Sequence, residues 1–262
     1  MLSESAARTA AELLLKARGD HRRLERLPPE CTPESVDDGM AIQNALAELW
    51  GLDVAGWKVG AASRAAMEML RTDEPFPGRV FAPYLLQSPA TVAAAALHKC
   101  AVECEFAFRL GRALPPREAD YGMDDIRDAV TAAYPAIELV NDYWVDGLAL
   151  GAAHFVADNG SNGALVLGDP IGDWRERDLA AAAVTLTVDG EVATTGSGAN
   201  VLGHPLNTLV WLANDLSRRG IGLEEGAVVT TGSMTGITPC HTGATAVGDF
   251  GPAGTVQVTF EE

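Results

Sequence analysis

Two stretches near the N-terminus carry apolar residues at the spacing of amphipathic helices. From Ser3 to Arg18 the chain is rich in alanine and leucine, and Gly19 follows as a stop signal. A second helix is predicted to begin at Thr32-Pro33, because proline suits the first helical turn, and to end at Gly51. Ser63 to Leu70 predicts one further brief helix.

From Val54 onward the pattern changes to short apolar runs separated by glycine and proline. Strands are predicted at residues 56–60, 102–110, 135–140, 184–188, 191–195, 227–231 and 255–260, and helices at 124–133 and 205–219. Asp189-Gly190 is the signal of a tight hairpin between two of these strands. The stretch from Thr72 to Pro77, with Pro83 and Pro89, predicts an irregular connection.

Many short strands with few long helices argue against a doubly wound parallel sheet, in which strands and helices alternate. We therefore expect an α+β fold with a mixed, β-rich body. Residues 1–85 form the predicted N-terminal helical region, and residues 86–262 form the predicted β-rich catalytic domain.

The charge balance limits the classes of partner. Thirty-six acidic residues against nineteen basic ones give a formal charge of −17, which repels phosphate backbones and anionic membrane surfaces. We therefore expect no nucleic-acid partner. A small anionic substrate would also be repelled at long range, so a site for one needs a local positive centre such as a metal ion or a lysine.

The chain shows no signal for a membrane or an oxidising compartment. No apolar run approaches the roughly 20 residues that cross a bilayer, and the N-terminus lacks the basic start and apolar stretch of a secretory signal. The four cysteines form no Cys-x-x-Cys pair, so they are interpreted as free thiols. We expect a cytoplasmic protein with no membrane partner.

A cluster of carboxylates is the first candidate for chemistry. Strand alternation places Glu103 and Glu105 on one face of residues 102–110, with their Cα atoms roughly 7 Å apart, a distance from which both can reach one ion. The alternative is that both glutamates face water on an amphipathic strand. Glu138 interrupts the apolar run at 136–140, where a charge is costly to bury unless it is paired or bound to a metal. Three oxygen ligands suit Mg²⁺ or Mn²⁺.

Lys58 is a candidate for the local positive group. It lies in a strand-like run between Gly56 and Gly60, where glycine permits close approach of the backbone. An isolated lysine is more often a surface residue whose aliphatic stem lies along apolar surface. Both interpretations remain open from the residues alone.

At these residues the sequence resembles the fumarylacetoacetate hydrolase superfamily, in its branch of 2-keto-4-pentenoate hydratases and 4-oxalocrotonate decarboxylases from aromatic meta-cleavage pathways. The resemblance spans nearly the whole chain. It is carried by Gly56-Trp57-Lys58-Val59-Gly60, Val102-Glu103-Cys104-Glu105, Pro135-Ala136-Ile137-Glu138, Asp158-Asn159-Gly160-Ser161, Leu202-Gly203-His204-Pro205-Leu206-Asn207 and Val229-Thr230-Thr231-Gly232.

The resemblance implies a mixed β-roll, similar to the C-terminal domain of fumarylacetoacetate hydrolase, behind a helical N-terminal region. It also implies a lyase with Mg²⁺ or Mn²⁺ on Glu103, Glu105 and Glu138, a catalytic role for Lys58, and a homo-oligomer. Ser161, Thr231 and Gly232 would contact the substrate, a small anionic 2-oxo acid. Without the resemblance, Ser161 is interpreted as a turn residue and His204 as a helix-entry residue before Pro205.

The resemblance leaves the reaction open because the chain departs from the family pattern at two places. Phe76 stands where hydratases of this branch carry an acidic residue, and Asn141-Asp142-Tyr143 follows the third carboxylate where a basic residue is common. The leading hypothesis is a 2-keto-4-pentenoate hydratase in which Lys58, with its pKa lowered by a nearby cation and by burial, moves protons. The alternatives are a 4-oxalocrotonate-type decarboxylase, an acylpyruvate C–C hydrolase, and a non-catalytic subunit complexed with a sister pathway enzyme.

Overall fold

The computed structural model describes residues 1–262 and contains seven α-helices and thirteen strands. The helices are α1 (Glu4–Gly19), α2 (Val36–Trp50), α3 (Arg64–Leu70), α4 (Met123–Ala129), α5 (Gly147–Leu150), α6 (Ala152–Ala157) and α7 (Pro205–Arg218). The strands are β1 (Val54–Gly60), β2 (Phe76–Phe81), β3 (Leu85–Gln87), β4 (Ala90–Ala93), β5 (Ala101–Leu110), β6 (Val130–Val140), β7 (Asn162–Leu167), β8 (Ala183–Val188), β9 (Glu191–Ser197), β10 (Val228–Thr230), β11 (Thr238–Pro239), β12 (Thr245–Asp249) and β13 (Thr255–Glu261). None of the helices combines the length and the apolar composition that crossing a bilayer requires.

The two N-terminal helices begin at serine caps. The hydroxyl of Ser3 accepts a hydrogen bond from the Ala6 amide at the start of α1, and that of Ser35 accepts one from the Asp38 amide in α2. The predicted start of α2 at Thr32-Pro33 is therefore three residues early, because the capping serine and not the proline sets the first turn. Gly51 ends α2 with a φ of +66°, as predicted.

The body of the protein is built on two sheets. The larger has eight strands in the order β2-β1-β10-β5-β6-β7-β3, with β11 added beside β5, and the smaller has the order β4-β13-β12-β8-β9. β1 runs parallel to β10, whereas β5 is antiparallel to both β10 and β6. This mixture of directions confirms the expected α+β fold with mixed sheets.

The two faces of the large sheet differ in what they bury. On β5, Cys104, Phe106 and Phe108 belong to the main core of 41 buried residues, which also takes in residues of the small sheet and of α7. On the opposite face, Ala107 belongs to a small apolar cluster that includes Ala136 of β6 and Leu165 of β7. Strand alternation puts Glu103 and Glu105 on this second face, next to the small cluster.

Two predicted elements are corrected by strand pairing. The predicted helix at 124–133 ends at Ala129, and the residues after it open β6, because Ala132 and Ala133 pair with β5. The predicted irregular connection after Thr72 contains β2, in which Pro77 pairs with Val59 of β1. Proline is tolerated there because β2 is an edge strand of the sheet.

The N-terminal helices pack on their own apolar cluster. Leu14 of α1 and Ile42 and Leu46 of α2 are buried there, together with Trp144. The division at residue 85 remains a prediction. β1 and β2, on its N-terminal side, are hydrogen-bonded into the same sheet as β5 on the other side.

A substitution at Gly56 tests the close approach of β1 to β10. A Cβ atom at this position would lie 1.8 Å from the carbonyl oxygen of Val228, so Gly56→Ala must push the two strands apart. We expect the free energy of unfolding, measured by urea denaturation, to fall by about 3 kcal/mol or more. Gly172→Ala is the control, because a Cβ atom there meets nothing within 4 Å. An equal loss in both variants would contradict the packing described.

Candidate metal centre

Three carboxylates meet on the second face of the large sheet. Glu103 on β5 lies directly opposite Glu138 on β6, and Glu105 lies two residues further along β5 on the same face. One carboxylate oxygen from each residue can be chosen so that all three lie within 4.8 Å of one another. Glu105 and Glu138 are 0% exposed and Glu103 is partly exposed, so these side chains are not a solvated strand face.

Lys58 is the cation that the structure brings to this cluster. Its Nζ atom lies 3.2 Å from Oε1 of Glu138, and its side chain is buried. The surface interpretation of Lys58 is therefore excluded. One ammonium group faces three carboxylates, which leaves an excess of negative charge in a buried site.

This excess of negative charge raises the pKa values of residues in the cluster. Burial, followed by repulsion from Glu138, raises the pKa of Glu103 to about 7. Burial, Glu138 and Glu103 raise the pKa of Glu105 well above its usual range. Burial alone lowers the pKa of Lys58, but the three carboxylates together outweigh it and raise that pKa. The lowered pKa expected for Lys58 therefore requires a cation beside it.

The hydrogen bonds around the carboxylates are incomplete. The Gly232 amide donates to Oε2 of Glu105 at 2.9 Å, and the Asn162 side-chain amide donates to Oε1 of Glu138 at 3.1 Å. Oε1 of Glu105 and Oε2 of Glu138 are buried and have no partner. Buried acceptors of this kind are costly unless something positive fills the space between them. A divalent cation would satisfy both.

Two glycines make room for the lysine side chain. A Cβ atom at Gly78 would lie 3.0 Å from Cγ of Lys58, and one at Gly160 would lie 3.1 Å from its Cδ. Gly78 lies directly opposite Lys58 on β2. The aliphatic stem of Lys58 therefore passes between two backbone segments before it reaches Glu138.

The residues predicted to contact the substrate differ in whether their polar groups already have hydrogen-bond partners. The hydroxyl of Ser161 is buried and has no partner, whereas that of Thr231 donates to the Phe106 carbonyl at 3.1 Å. Gly232 has a φ of +85°, which turns its amide towards Glu105. Ser233 was not singled out from the sequence, yet its buried hydroxyl lies close enough to Glu103 to lower the pKa of that carboxyl. Only its place after Thr231-Gly232 could have indicated it.

An open cleft lies beside Gly232. It has a volume of about 610 Å³ and is lined in part by Ala62, Ser63 and Asn200. A Cβ atom at Gly232 would lie 2.5 Å from that of Ala62, so the wall of the cleft touches the turn that holds Glu105.

Phe76 and Asp142 lie at the two places where the chain departs from the family pattern, and both are buried. Phe76 is buried opposite Gly60, on the same strand face as Gly78 and Lys58. Asp142 forms ion pairs with Arg23, at 2.9 Å, and with Lys99. The acidic residue of this segment is therefore paired with cations from two distant segments, which spacing along the sequence does not reveal.

His204 is the residue before the first turn of α7, as predicted from the sequence. Its Nδ1 atom accepts a hydrogen bond from the Leu206 amide at 3.0 Å and so caps the helix. Desolvation lowers its pKa, which favours the neutral ring that this bond requires.

The sequence is similar to those of known enzymes. The family profile for the fumarylacetoacetate (FAA) hydrolase C-terminal domain matches residues 57–260. The chain is 32% identical to a 2-keto-4-pentenoate hydratase of Burkholderia vietnamiensis over 265 residues, which cover 100% of both proteins. It is 31% identical to a 2-hydroxyhexa-2,4-dienoate hydratase of Comamonas testosteroni, over 89% of this chain and 88% of that protein.

The fold is similar to that of a solved enzyme. The structure of 4-oxalocrotonate decarboxylase from Pseudomonas putida in complex with magnesium and adipate matches with a TM-score of 0.89 and 23% identity, over 99% of each chain. A fumarylpyruvate hydrolase of Pseudomonas aeruginosa, in complex with Mn²⁺ and pyruvate, matches with a TM-score of 0.59 and 16% identity, over 78% of this chain and 88% of that one. These likenesses concern the fold, and they confirm a mixed β-roll behind a helical N-terminal region.

Proposed function

The chain belongs to the fumarylacetoacetate hydrolase family, and on this premise we propose that it is a Mg²⁺- or Mn²⁺-dependent hydratase of a small 2-hydroxydienoic acid. Glu103, Glu105 and Glu138 are the proposed metal ligands, and Lys58 is the proposed catalytic residue. The similarity to named hydratases along the full length of the chain supports the reaction class.

The observation that carries the proposal is the charge of the cluster. Three carboxylates share one lysine, and two of their buried oxygens have no partner. Burial of like charges at this distance is unfavourable unless a cation balances them. Oxygen ligands of this number and type suit Mg²⁺ or Mn²⁺, which also accept water and substrate oxygens. The residues present therefore fit the ion.

When bound, such an ion would polarise the carboxylate and 2-hydroxyl oxygens of the dienoic acid and so favour loss of the 2-hydroxyl proton. The chain's own residues supply the remaining functions. Nζ of Lys58 holds a proton beside Glu138 and is the group able to deliver it to the substrate or to hold developing negative charge. The unpartnered hydroxyl of Ser161 is a donor available to orient an anionic head group.

A decarboxylase is the second candidate, and Phe76 favours it. The Phe76 side chain lies on the strand face of Lys58 but has no group that can take or give a proton. Addition of water to the conjugated carbon needs such a group or a bound water, whereas loss of a distal carboxyl group needs only stabilisation of the resulting enolate. The solved 4-oxalocrotonate decarboxylase shows that this fold accommodates that reaction.

Product analysis on three substrates tests the proposal. Protein stripped of metal and resupplied with Mg²⁺ or Mn²⁺ is given 2-hydroxypenta-2,4-dienoate, 4-oxalocrotonate and fumarylpyruvate, and the products are identified by NMR. We expect a 4-hydroxy-2-oxo acid from the first substrate, and only with metal. Release of CO₂ from the second alone would favour the decarboxylase. Turnover without metal, or none on any substrate, would contradict the proposal.

A further inference from the structure

The segment from Asp158 to Ser161 has an unusual backbone. Asn159, Gly160 and Ser161 follow one another with φ values of +56°, +63° and +57°, in the left-handed region that side chains rarely adopt. Consecutive residues of this kind persist only where surrounding contacts hold them. Both sides of the segment supply such contacts, and this explains how an unfavourable backbone remains fixed beside Lys58.

On one side, Asp158 anchors the segment to the helical region. Its carboxylate forms an ion pair with Arg18 of α1 and accepts a hydrogen bond from the Tyr143 amide at 2.7 Å. Asp158 is completely buried. These contacts fix the first residue of the segment, but none of them involves Lys58.

On the other side, Asn159 pairs with the backbone of β2. Its Oδ1 atom accepts from the Arg79 amide at 2.8 Å, and its Nδ2 atom donates to the Arg79 carbonyl, also at 2.8 Å. β2 is an edge strand, so this residue has no partner strand on that side. The side-chain amide of Asn159 thus forms the two hydrogen bonds that a neighbouring strand would otherwise form.

The pairing of Asn159 with Arg79 holds the segment against the side chain of Lys58. The Asn159 carbonyl oxygen would lie 2.6 Å from a Cβ atom at Gly78, and Gly160 packs on the stem of Lys58. Ser161, the next residue, points an unpartnered hydroxyl into the buried interior. A shift of this segment would therefore move Lys58 and Ser161 together.

We propose that Asn159 is a positioning residue, which holds Lys58 and Ser161 in register with the carboxylate cluster by taking the place of a strand beside β2. The proposal rests on the function proposed above, because it concerns how that site is kept in geometry. Asn159 itself has no role in proton transfer, since both ends of its amide are occupied by Arg79.

Two substitutions at Asn159 test the proposal in the metal-loaded, full-length enzyme. Asn159→Gly keeps the left-handed backbone and removes both hydrogen bonds. Asn159→Asp keeps the shape but places a carboxylate oxygen against the Arg79 carbonyl, so it tests the same contact if the glycine variant folds poorly. We expect kcat to fall on the order of 10²-fold with KM changed less than threefold, since a small misplacement of catalytic groups is sufficient for such a loss.

The matched control is Asn44→Ala, which removes a 2.6 Å hydrogen bond from the side chain of the same Arg79 without touching residues 158–161. Its kcat should equal that of the wild type. Hydrogen exchange of the Arg79 amide should accelerate at least tenfold in Asn159→Gly and stay unchanged in Asn44→Ala. A wild-type kcat in both Asn159 variants, or an equal loss in the control, would overturn the proposal.

Oxalate binding separates a failure of this proposal from a failure of the proposed function. Oxalate has the two planar oxygens of a 2-oxo acid head group in its enolate form, so its calorimetric affinity for the Mg²⁺-loaded protein reports the site without turnover. We expect tenfold weaker binding in Asn159→Gly than in the wild type. Equal affinity would contradict the positioning role even if no substrate were turned over, whereas an inactive wild type with this tenfold difference would contradict only the assigned reaction.

Discussion

Glu105→Gln should lower turnover strongly while leaving the fold intact. The substitution keeps the shape of the side chain and an oxygen for the Gly232 amide, but it removes a charge and a metal ligand from the cluster. Loss of metal-assisted charge stabilisation amounts to several kcal/mol, so kcat/KM should fall on the order of 10³-fold. In the absence of metal, the variant should be as stable as the wild type or more stable by about 1 kcal/mol, because one of three buried like charges is gone.

The control for this variant is Glu12→Gln on α1. Glu12 is exposed and forms a 3.6 Å ion pair with Arg8, an interaction that contributes less than about 1 kcal/mol on a surface. Its activity should be that of the wild type. Retained activity in Glu105→Gln would remove this residue from the ligand set. A loss of activity together with a loss of stability would show only that the site had unfolded.

Lys58→Met should lower both activity and stability. Methionine fits the narrow passage between Gly78 and Gly160 but carries no charge, so Glu138 loses the cation that pairs with it. Removing one partner of a buried ion pair leaves an uncompensated charge, and we expect the metal-free protein to lose about 3 kcal/mol of unfolding free energy. Loss of the proton-bearing group should reduce kcat by roughly 10²- to 10⁴-fold.

Thermal denaturation with and without Mg²⁺ separates the loss of stability in Lys58→Met from its loss of activity. An added cation replaces part of the missing charge, so Mg²⁺ should raise the Tm of Lys58→Met more than it raises that of the wild type, while kcat stays low. Lys16→Met is the control, because Lys16 is exposed and pairs only with Asp20 of the same helix region. Full activity in Lys58→Met would exclude the catalytic role.

The carboxylate cluster could be predicted because a local signal marks each of its members and the family resemblance joins them into one set. Alternation places Glu103 and Glu105 on one face, and Glu138 interrupts an apolar run where an unpaired charge is costly. The hairpin at Asp189-Gly190 was predictable for a similar reason. Both residues have positive φ values, of 53° and 85°, which this residue pair accepts readily.

What could not be predicted depends on contacts between distant segments. β2 contains Pro77 and is a strand only because β1 offers it an antiparallel partner. The pairing of Asn159 with Arg79 joins residues 80 positions apart, and the cations around Asp142 come from Arg23 and Lys99. None of these residues carries a periodic or compositional signal, so only the fold brings them together.

The three glutamates are proposed to bind one divalent ion, and anomalous diffraction from crystals grown with Mn²⁺ locates such an ion directly. We expect one strong manganese peak per chain, contacted by carboxylate oxygens of Glu103, Glu105 and Glu138, and no such peak in Glu105→Gln. A peak at another site, or an empty cluster in crystals of active protein, would contradict it.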